Sequence, residues 1–248
     1  MTAATTQAAR AARGSLTEGR STDELKDIVF QVGAELELAP AENIIEWAVA
    51  TFGARFCVTS SMGDAVLADL VSKVAPGVDV IFLDTGYHFV ETIGTRDAVA
   101  ATLPVNLLNI TPVQTVAEQD AAYGKDLYRT DPDLCCALRK VKPLNDALAR
   151  YDAWATGLRR AETHNRVIAP VVGWDEKKQK VKVSPLARWS DDDVEKYVAE
   201  NGVLVNPLQY DGYPSIGCWP CTRRVAEGED ARSGRWSGFN KTECGIHQ

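Results

Sequence analysis

Residues 55–64, which decide the fold, read RFCVTSSMGD. A short apolar run with β-branched residues (55–59) leads into a turn of small and hydroxyl residues, and a helical pattern follows over 64–75. A strand, a tight turn and a helix in this order begin a βαβ unit, and the N–H groups at the start of such a helix can bind an anion. The sequence therefore predicts an anion-binding loop containing Ser60, Ser61, Gly63 and Asp64, although the loop matches neither common glycine-rich phosphate motif.

Three later segments repeat the strand pattern. They span 78–83, 105–110 and 153–158, with helical patterns over 88–102 and 112–122. The first three strands follow one another by roughly 25 residues, a spacing typical of βαβ units and a parallel sheet. Ligands of such sheets bind outside the carboxyl ends of the strands. We therefore expect an α/β fold with a mostly parallel sheet, helices on both faces, and a crevice formed by the loops that follow the strands.

The rest of the chain extends this frame at both ends. Helical spacing predicts further helices at 21–37, 41–52, from Asp131 towards Arg150, and 190–201, and a hairpin is expected from 167–172 and 180–183. Residues 1–20 show the composition of a disordered start, with a weak likeness to a transit peptide. We expect an α/β nucleotide-binding domain at 21–205 and an irregular, functional C-terminal tail at 206–248.

Composition and charge exclude several classes of protein. The 248 residues are 45% hydrophobic and 25% charged, which is typical of a globular protein. The formal net charge of −7 argues against non-specific binding to nucleic acid or a membrane surface. No apolar run approaches the length of a transmembrane helix, and no export signal precedes the domain. We therefore expect a cytoplasmic protein whose six cysteines do not form disulfides.

Four of the cysteines come in two pairs. Cys135 and Cys136 are adjacent, and Cys218 and Cys221 form a C-x-x-C about 80 residues later along the chain. Paired thiolates favour a metal site, either zinc or an iron–sulfur cluster. Neighbouring side chains on a helix point about 100° apart, so an adjacent pair converges poorly on one ion and suits a larger cluster better. Buried or redox-active cysteines are the remaining alternative.

The other two cysteines have different surroundings. Cys57 lies in the first apolar strand, where a free cysteine usually acts as a small core residue. Cys244 lies four residues from the end of the chain, in a segment with Arg232, Arg235 and Lys241 before it and His247 after it. Such cations favour the thiolate, so Cys244 is either a nucleophile or an incidental surface thiol.

Further polar residues lie at the predicted carboxyl edge of the sheet. The turn after the second strand, formed by Leu83, Asp84, Thr85 and Gly86, either contacts a nucleotide or is a plain turn. Basic pairs recur near the same edge. They are Arg139 with Lys140, Arg159 with Arg160, and Arg232 with Arg235. Their convergence on one crevice would indicate a strongly anionic substrate.

These motifs together resemble the assimilatory adenylyl-sulfate reductases, the iron–sulfur branch of the phosphoadenylyl-sulfate reductase family. The resemblance covers about residues 40–248 and is carried mainly by the two cysteine pairs and the tail sequence ECGIH at 243–247. The segments LDTG (83–86) and GLRR (157–160) support it. The loop at 60–64 resembles a degenerate form of the pyrophosphatase loop Ser-Gly-Gly-x-Asp-Ser of related ATP-splitting enzymes, which have an adenine nucleotide alpha hydrolase-like fold.

The resemblance implies a specific chemistry. Cys135, Cys136, Cys218 and Cys221 would hold a [4Fe–4S] cluster. The Cys244 thiolate would attack the sulfur of adenosine 5′-phosphosulfate, release AMP and leave an S-sulfocysteine. Thioredoxin or a similar dithiol protein would then release sulfite.

The same resemblance suggests how the substrate's charge is met. Lys140, Arg232 and Arg235 would offset the negative charge of the reacting groups, with Arg159 and Arg160 at the phosphate or sugar and His247 beside the nucleophile. A reductase that uses the 3′-phosphorylated substrate is one alternative. An ATP-splitting adenylating or thiolating enzyme and a zinc-stapled module are others.

Overall fold

The computed structural model of the chain describes residues 19–239, 241, 245 and 246. Within this part of the chain, one sheet contains all the strands. They are β1 (Phe56–Thr59), β2 (Asp79–Leu83), β3 (Asn106–Ile110), β4 (Ala153–Thr156), β5 (Val172–Asp175) and β6 (Lys180–Val183). Their spatial order is β3-β2-β1-β4-β6-β5, and only β5 runs antiparallel to its neighbour in this described sheet. The predicted mostly parallel sheet is confirmed.

Helices of the described residues precede, connect and follow the strands. They are α1 (Thr22–Leu36), α2 (Ala41–Phe52), α3 (Val66–Val74), α4 (Val90–Thr102), α5 (Val116–Tyr123), α6 (Leu127–Thr130), α7 (Pro132–Cys136), α8 (Lys142–Leu148) and α9 (Asp191–Asn201). Short 3₁₀ turns occur at Gly53–Arg55, Arg160–Glu162, His164–Arg166, Pro207–Asp211 and Trp219–Cys221.

Helix starts follow the capping residues of the sequence. Ser21 caps α1 and Ser190 caps α9, each with an acidic residue at the third helical position completing the capping box. Asp131 caps α7, where its carboxylate accepts a hydrogen bond from the Leu134 N–H at 2.9 Å and Pro132 takes the first position. The helix predicted from Asp131 is not uniform, because a π-helical segment, Ala137–Val141, separates α7 from α8.

The predicted hairpin is present, but its first strand begins at Val172, later than the predicted start at residue 167. Trp174 and Asp175, which we expected in the turn, belong to β5, and the turn comprises residues 176–179. The Asp175 carboxylate accepts a hydrogen bond from the Lys178 N–H at 3.1 Å, and this bond stabilises the start of the reversal. Earlier in the segment, a backbone hydrogen bond from Ala169 to Arg166 closes a turn and keeps 166–169 out of the sheet.

Alternate strand residues face two different apolar layers. Phe56, Val58 and Val80 pack into the larger layer, with residues of α2, α3 and α4. Cys57, Ile81 and Trp154 face the other way and pack against Leu144 and Leu148 of α8. This period of two places helices on both faces of the sheet, as predicted.

Cys57 has the structural role that its position in β1 suggested. Its side chain is fully buried, and desolvation raises the pKa of its thiol well above the usual range. Such a thiol is inert, so the prediction that Cys57 is a core residue is confirmed.

The N-terminal prediction falls mostly on residues 1–18, which lie outside the described residues. Arg20, the last residue of the segment expected to be disordered, is in contact with the domain. Its guanidinium donates to the Thr51 carbonyl at 2.6 Å and pairs with Asp152 at 3.3 Å. Among the described helices, none has the length and apolar character needed to cross a bilayer.

Trp154 is the largest fully buried side chain of the described residues. Its substitution tests how much the apolar layer covered by α8 contributes to stability. Trp154→Ala should lower the free energy of unfolding by about 3–5 kcal/mol, because it removes a large apolar surface and leaves a cavity. Denaturant unfolding measures this change. Phe30→Ala is the control, since Phe30 is 90% exposed and its loss should change stability by only ~0.5 kcal/mol. Equal losses in the two variants would contradict this account of the core.

Candidate functional site

The loop after β1 is held in shape by its own polar groups and by a later segment. The Ser60 hydroxyl accepts a hydrogen bond from the Met62 N–H at 3.3 Å, and Met62 has the left-handed φ of 59°. The Asn206 amide donates to the Met62 carbonyl at 3.0 Å, and the Gln209 amide donates to the Gly63 carbonyl at 2.9 Å. A left-handed backbone is unfavourable for a residue with a side chain, so these bonds stabilise a strained turn.

Asp64 ends this loop and starts the next helix. Its carboxylate accepts a hydrogen bond from the Val66 N–H at 3.0 Å. Burial raises the pKa of Asp64, while this hydrogen bond and the nearby positive charge of Arg159 oppose the rise. The carboxylate therefore shapes the loop, whereas the exposed Ser61 beside it stays open to a ligand.

Arg159, after β4, is the basic residue that the structure brings towards this loop. Its Nη2 pairs with the Asp191 carboxylate at 2.7 Å, and its side chain is 16% exposed. Its Nη1 is buried and has no hydrogen-bond partner among the described residues. A buried guanidinium N–H without an acceptor is costly, so this atom is a natural partner for an anion in the crevice.

Arg160 does not join Arg159. Its guanidinium donates to the Ala169 carbonyl at 2.8 Å and forms an ion pair with Glu37 at 2.6 Å. These contacts draw the charge of Arg160 towards the end of α1, and its expected role at the substrate stays a prediction.

The loop after β2 is built around a buried threonine. The Thr85 side chain is fully buried, its hydroxyl lies 3.3 Å from the Cys218 sulfur, and it accepts a hydrogen bond from the Tyr87 N–H at 3.2 Å. The Thr85 hydroxyl is therefore used within the protein, and the expectation that Thr85 contacts a nucleotide stays a prediction. Leu83, Asp84 and Gly86 of the same turn are partly or fully exposed.

Asp84 is also engaged by neighbouring side chains. Its carboxylate accepts a hydrogen bond from the Gly86 N–H at 3.1 Å and lies 3.4 Å from the guanidinium of Arg96. Gly86 has φ +75°, and a β-carbon there would approach the Arg139 guanidinium to 3.1 Å. The turn therefore requires glycine at this point.

Arg139 holds the β2 loop against the helix of the cysteine pair. It is buried, and its guanidinium donates to the carbonyls of Thr85 and Gln114 and to the Gln119 side chain. It also lies 5.3 Å from the centroid of the Tyr87 ring. These donors position the loop, and Arg139 also lines the cavity of the cysteine pairs. Its expected contact with substrate stays a prediction.

All four paired cysteines line one cavity. It lies at the carboxyl end of β2. Lys140, Tyr87 and Trp236 line it too. The structure therefore brings together the two cysteine pairs that the sequence separates by about 80 residues. Yet no three of the described His, Cys, Asp and Glu side chains are arranged to hold one metal ion.

The thiols of this cavity act on one another. Burial raises the pKa of Cys135 to about 12, and the other three thiols add to the rise. Burial also raises the pKa of Cys221 to about 11, while the charges of Lys140 and Arg235 oppose it. Such thiols are neutral by themselves and ionise when they bind a metal, which replaces the lost solvation.

Arg235 lies near the cysteine cavity, where its charge acts on the Cys221 thiol. The Arg235 guanidinium donates to the Ser215 hydroxyl at 3.3 Å and the Ile216 carbonyl at 3.2 Å. It also lies over the ring of Trp236, 4.4 Å from its centroid. The Arg232 backbone N–H donates to the Asp230 carboxylate at 2.8 Å, and its carbonyl accepts a hydrogen bond from the Arg235 N–H at 2.9 Å.

Cys244 and His247 lie outside the described residues, so their roles stay predictions. The described residues on either side of Cys244, Lys241 and Gly245, lie against the helical region of the first cysteine pair. Lys241 forms an ion pair with Asp133, and Gly245 approaches Val141.

His88 is a site residue that the sequence reasoning missed. Its Nε2 lies 2.8 Å from the Leu83 carbonyl, its backbone pairs with that of Cys218, and its Nδ1 is buried without a partner among the described residues. Burial lowers the pKa of His88, and the nearby charge of Lys140 contributes. The position of a histidine just after the LDTG turn was the sequence feature that could have identified it. The sequence did not predict the role of Asn206 and Gln209, because the β1 loop to which they hydrogen-bond is far from them along the chain.

Comparison with known proteins agrees with this geometry. A family model described as the phosphoadenosine phosphosulfate reductase domain matches residues 55–224. A protein of Streptomyces coelicolor named adenosine 5′-phosphosulfate reductase is 65% identical over 94% of this chain and 99% of its own. One of the same name from Mycolicibacterium smegmatis is 54% identical over 91% of this chain and 95% of its own.

Solved structures show the same fold. A phosphoadenylyl-sulfate reductase from Candida auris, solved as a phosphate complex, has a TM-score of 0.68 and 29% identity and covers 86% of this chain and 100% of that chain. An FMN adenylyltransferase from Candida glabrata, at 10% identity and a TM-score of 0.52 over 91% of this chain and 77% of its own, shares the fold alone. By the extent of the family match and the identity to its relatives, the chain belongs to the phosphoadenosine phosphosulfate reductase domain family.

Proposed function

We propose that this chain reduces adenosine 5′-phosphosulfate to sulfite and AMP, with electrons from a dithiol protein of the thioredoxin type. The observation that carries the proposal is the convergence of both cysteine pairs and Lys140 on one cavity at the edge of the sheet. Relatives at 65% and 54% identity are named for this activity. The alternative 3′-phosphorylated substrate is named for a structure at only 29% identity.

The cavity suits a [4Fe–4S] cluster held by Cys135, Cys136, Cys218 and Cys221. The donor set consists of four thiols that line one space. A cluster offers separate irons to adjacent cysteines, whereas a lone zinc ion requires tighter convergence. When bound, it would cross-link the two cysteine pairs and place its charge next to Lys140, without having to supply the electrons of the reaction.

Cys244 supplies the nucleophile in this proposal. Its thiolate attacks the sulfur of the phosphosulfate, forming an S–S bond as the S–O bond to the phosphate breaks and AMP leaves. A thiolate of the reductant then attacks the Cys244 sulfur, and sulfite departs with the electron pair of the S–S bond. The second thiol of the reductant resolves the mixed disulfide, so that the dithiol is oxidised and the Cys244 thiolate returns.

Cations on the crevice side make this attack feasible. A thiolate and a phosphosulfate repel each other, and charge accumulates on the departing phosphate. Arg159 offers an unpartnered buried N–H at the β1 loop, while Lys140 and Arg235 lie at the cysteine cavity. The thiol chemistry requires a reducing compartment, which supports the cytoplasm as its location.

Trapping of the sulfonated enzyme tests the reaction directly. Incubation with adenosine 5′-phosphosulfate and no reductant should add one sulfonate, ~80 Da, to the intact protein, because thiolate attack leaves the sulfonate on the enzyme. Cys244→Ser should abolish the gain, whereas Cys57→Ala should retain it, since Cys57 is buried in the core. A mass gain that survives Cys244→Ser would disprove the assignment of the nucleophile.

The cluster is tested by iron content and colour. The purified protein should be brown, with broad absorbance near about 400 nm and about four irons per chain. Cys135→Ala or Cys218→Ala should remove most of both signals, since each deletes one of the proposed ligands. Cys57→Ala is the matched control and should keep them. A colourless protein with stoichiometric zinc would contradict the cluster.

Arg159 should affect substrate binding. Arg159→Met should raise KM for adenosine 5′-phosphosulfate about 10–100-fold, because it removes a charge-assisted hydrogen bond to the anion. Arg188→Met, at an exposed arginine, should leave KM within about twofold. Steady-state kinetics with both variants make the comparison. An unchanged KM in Arg159→Met would exclude this contact.

A further inference from the structure

The described part of the C-terminal tail contacts the domain on both sides of residues 242–244. Upstream, the Lys241 ammonium pairs with Asp133 at the start of α7 and lies 5.9 Å from the centroid of the Trp236 ring. Downstream, Gly245 and Ile246 contact the π-helical segment and the hairpin of β5 and β6. The short stretch that contains Cys244 is therefore bounded by two points of attachment.

Lys178 makes the downstream attachment. Its ammonium donates to the Ile246 carbonyl at 2.7 Å and pairs with the Asp175 carboxylate at 3.2 Å. The same ammonium lies 5.3 Å from the centroid of the Trp154 ring, and the Lys178 side chain is only 3% exposed. A buried lysine is expensive unless its donors are satisfied, and here one of its acceptors is a main-chain carbonyl of the tail.

Apolar packing and backbone geometry support the same contact. Ile246 packs against the layer formed by Trp154, Leu144 and its neighbours. Gly245 has φ +82°, and a β-carbon there would lie 3.4 Å from the Val141 side chain. The tail therefore turns at Gly245 and places Ile246 beside Lys178.

We infer that Lys178 is a positioning residue that fixes the C-terminal tail on the sheet and thereby sets the place of the tail cysteine. The role of Cys244 in this inference rests on the proposed function. Cys244 comes only two residues before Ile246 in the sequence, so a change that releases Ile246 should also alter the reactivity of Cys244. Lys178 acts on the reaction through the tail, without touching substrate.

Hydrogen exchange of the tail tests the attachment. In Lys178→Met, amides of the peptide covering 241–248 should exchange about tenfold faster than in the wild type, because a charge-assisted hydrogen bond is lost. Lys177→Met is the matched control, since Lys177 is the exposed neighbour in the same turn, and its tail should exchange at the wild-type rate. Equal exchange in the two variants would overturn the inference.

A second pair of variants separates positioning from simple instability. Lys178→Met leaves the Asp175 carboxylate without its ammonium partner. The double variant, Lys178→Met with Asp175→Asn, removes both charges. Its tail amides should still exchange faster than those of the wild type. Lys178→Arg keeps a cationic donor and should restore most of the protection. If the double variant keeps the thermal stability of the wild type and its tail amides exchange no faster, the inference is also overturned.

Single-turnover sulfonation provides the kinetic readout. At saturating adenosine 5′-phosphosulfate, Lys178→Met should form sulfonated enzyme about tenfold more slowly, with KM changed by less than about twofold. An unchanged sulfonation rate despite faster tail exchange would refute the positioning role. If the wild type forms no sulfonated enzyme, the proposed function fails, while the exchange results still decide whether Lys178 holds the tail.

Discussion

The hydrogen bonds of Thr85 join the parts on which the candidate site depends. The Thr85 carbonyl accepts from Arg139 of the π-helical segment, and its hydroxyl contacts the sulfur of Cys218. One buried residue after β2 therefore connects the loop, the helix of the first cysteine pair and the segment of the second. Together with the backbone bridge between His88 and Cys218, these contacts hold residues far apart in sequence around one cavity.

The charge available at the site depends on which basic residues already have partners within the protein. An acidic chain with a net charge of −7 must meet an anionic substrate with a local set of cations. The structure divides the basic residues that the sequence offers. Arg139 and Arg160 have partners within the protein, whereas Arg159 has an unsatisfied N–H near the β1 loop and Lys140 lies at the cysteine cavity.

The sequence predicted the sheet better than the site. Period-two patterning at 55–59 and 78–83 and the Asp131-Pro132 cap are local signals, and local signals are readable from one chain. The sequence did not predict the π-helical segment, the start of β5, the burial of Thr85 or the outward ion pair of Arg160. Two of these depend on partners far along the chain, Glu37 for Arg160 and Cys218 for Thr85. The two cysteine pairs were the exception, because their chemistry indicated a shared site without any knowledge of the path between them.

The π-helical segment Ala137–Val141 links the number of residues in its helix to the direction in which the cysteine pair points. A π turn inside a helix accommodates one residue more than a regular α-turn would hold. If the same residues formed an uninterrupted α-helix, the helical phase of everything upstream would change by about 100°. Cys135 and Cys136 would then rotate away from Cys218 and Cys221 although every cysteine was retained. Homologous chains that keep this site should therefore either keep the π turn or lose it together with one residue of the segment.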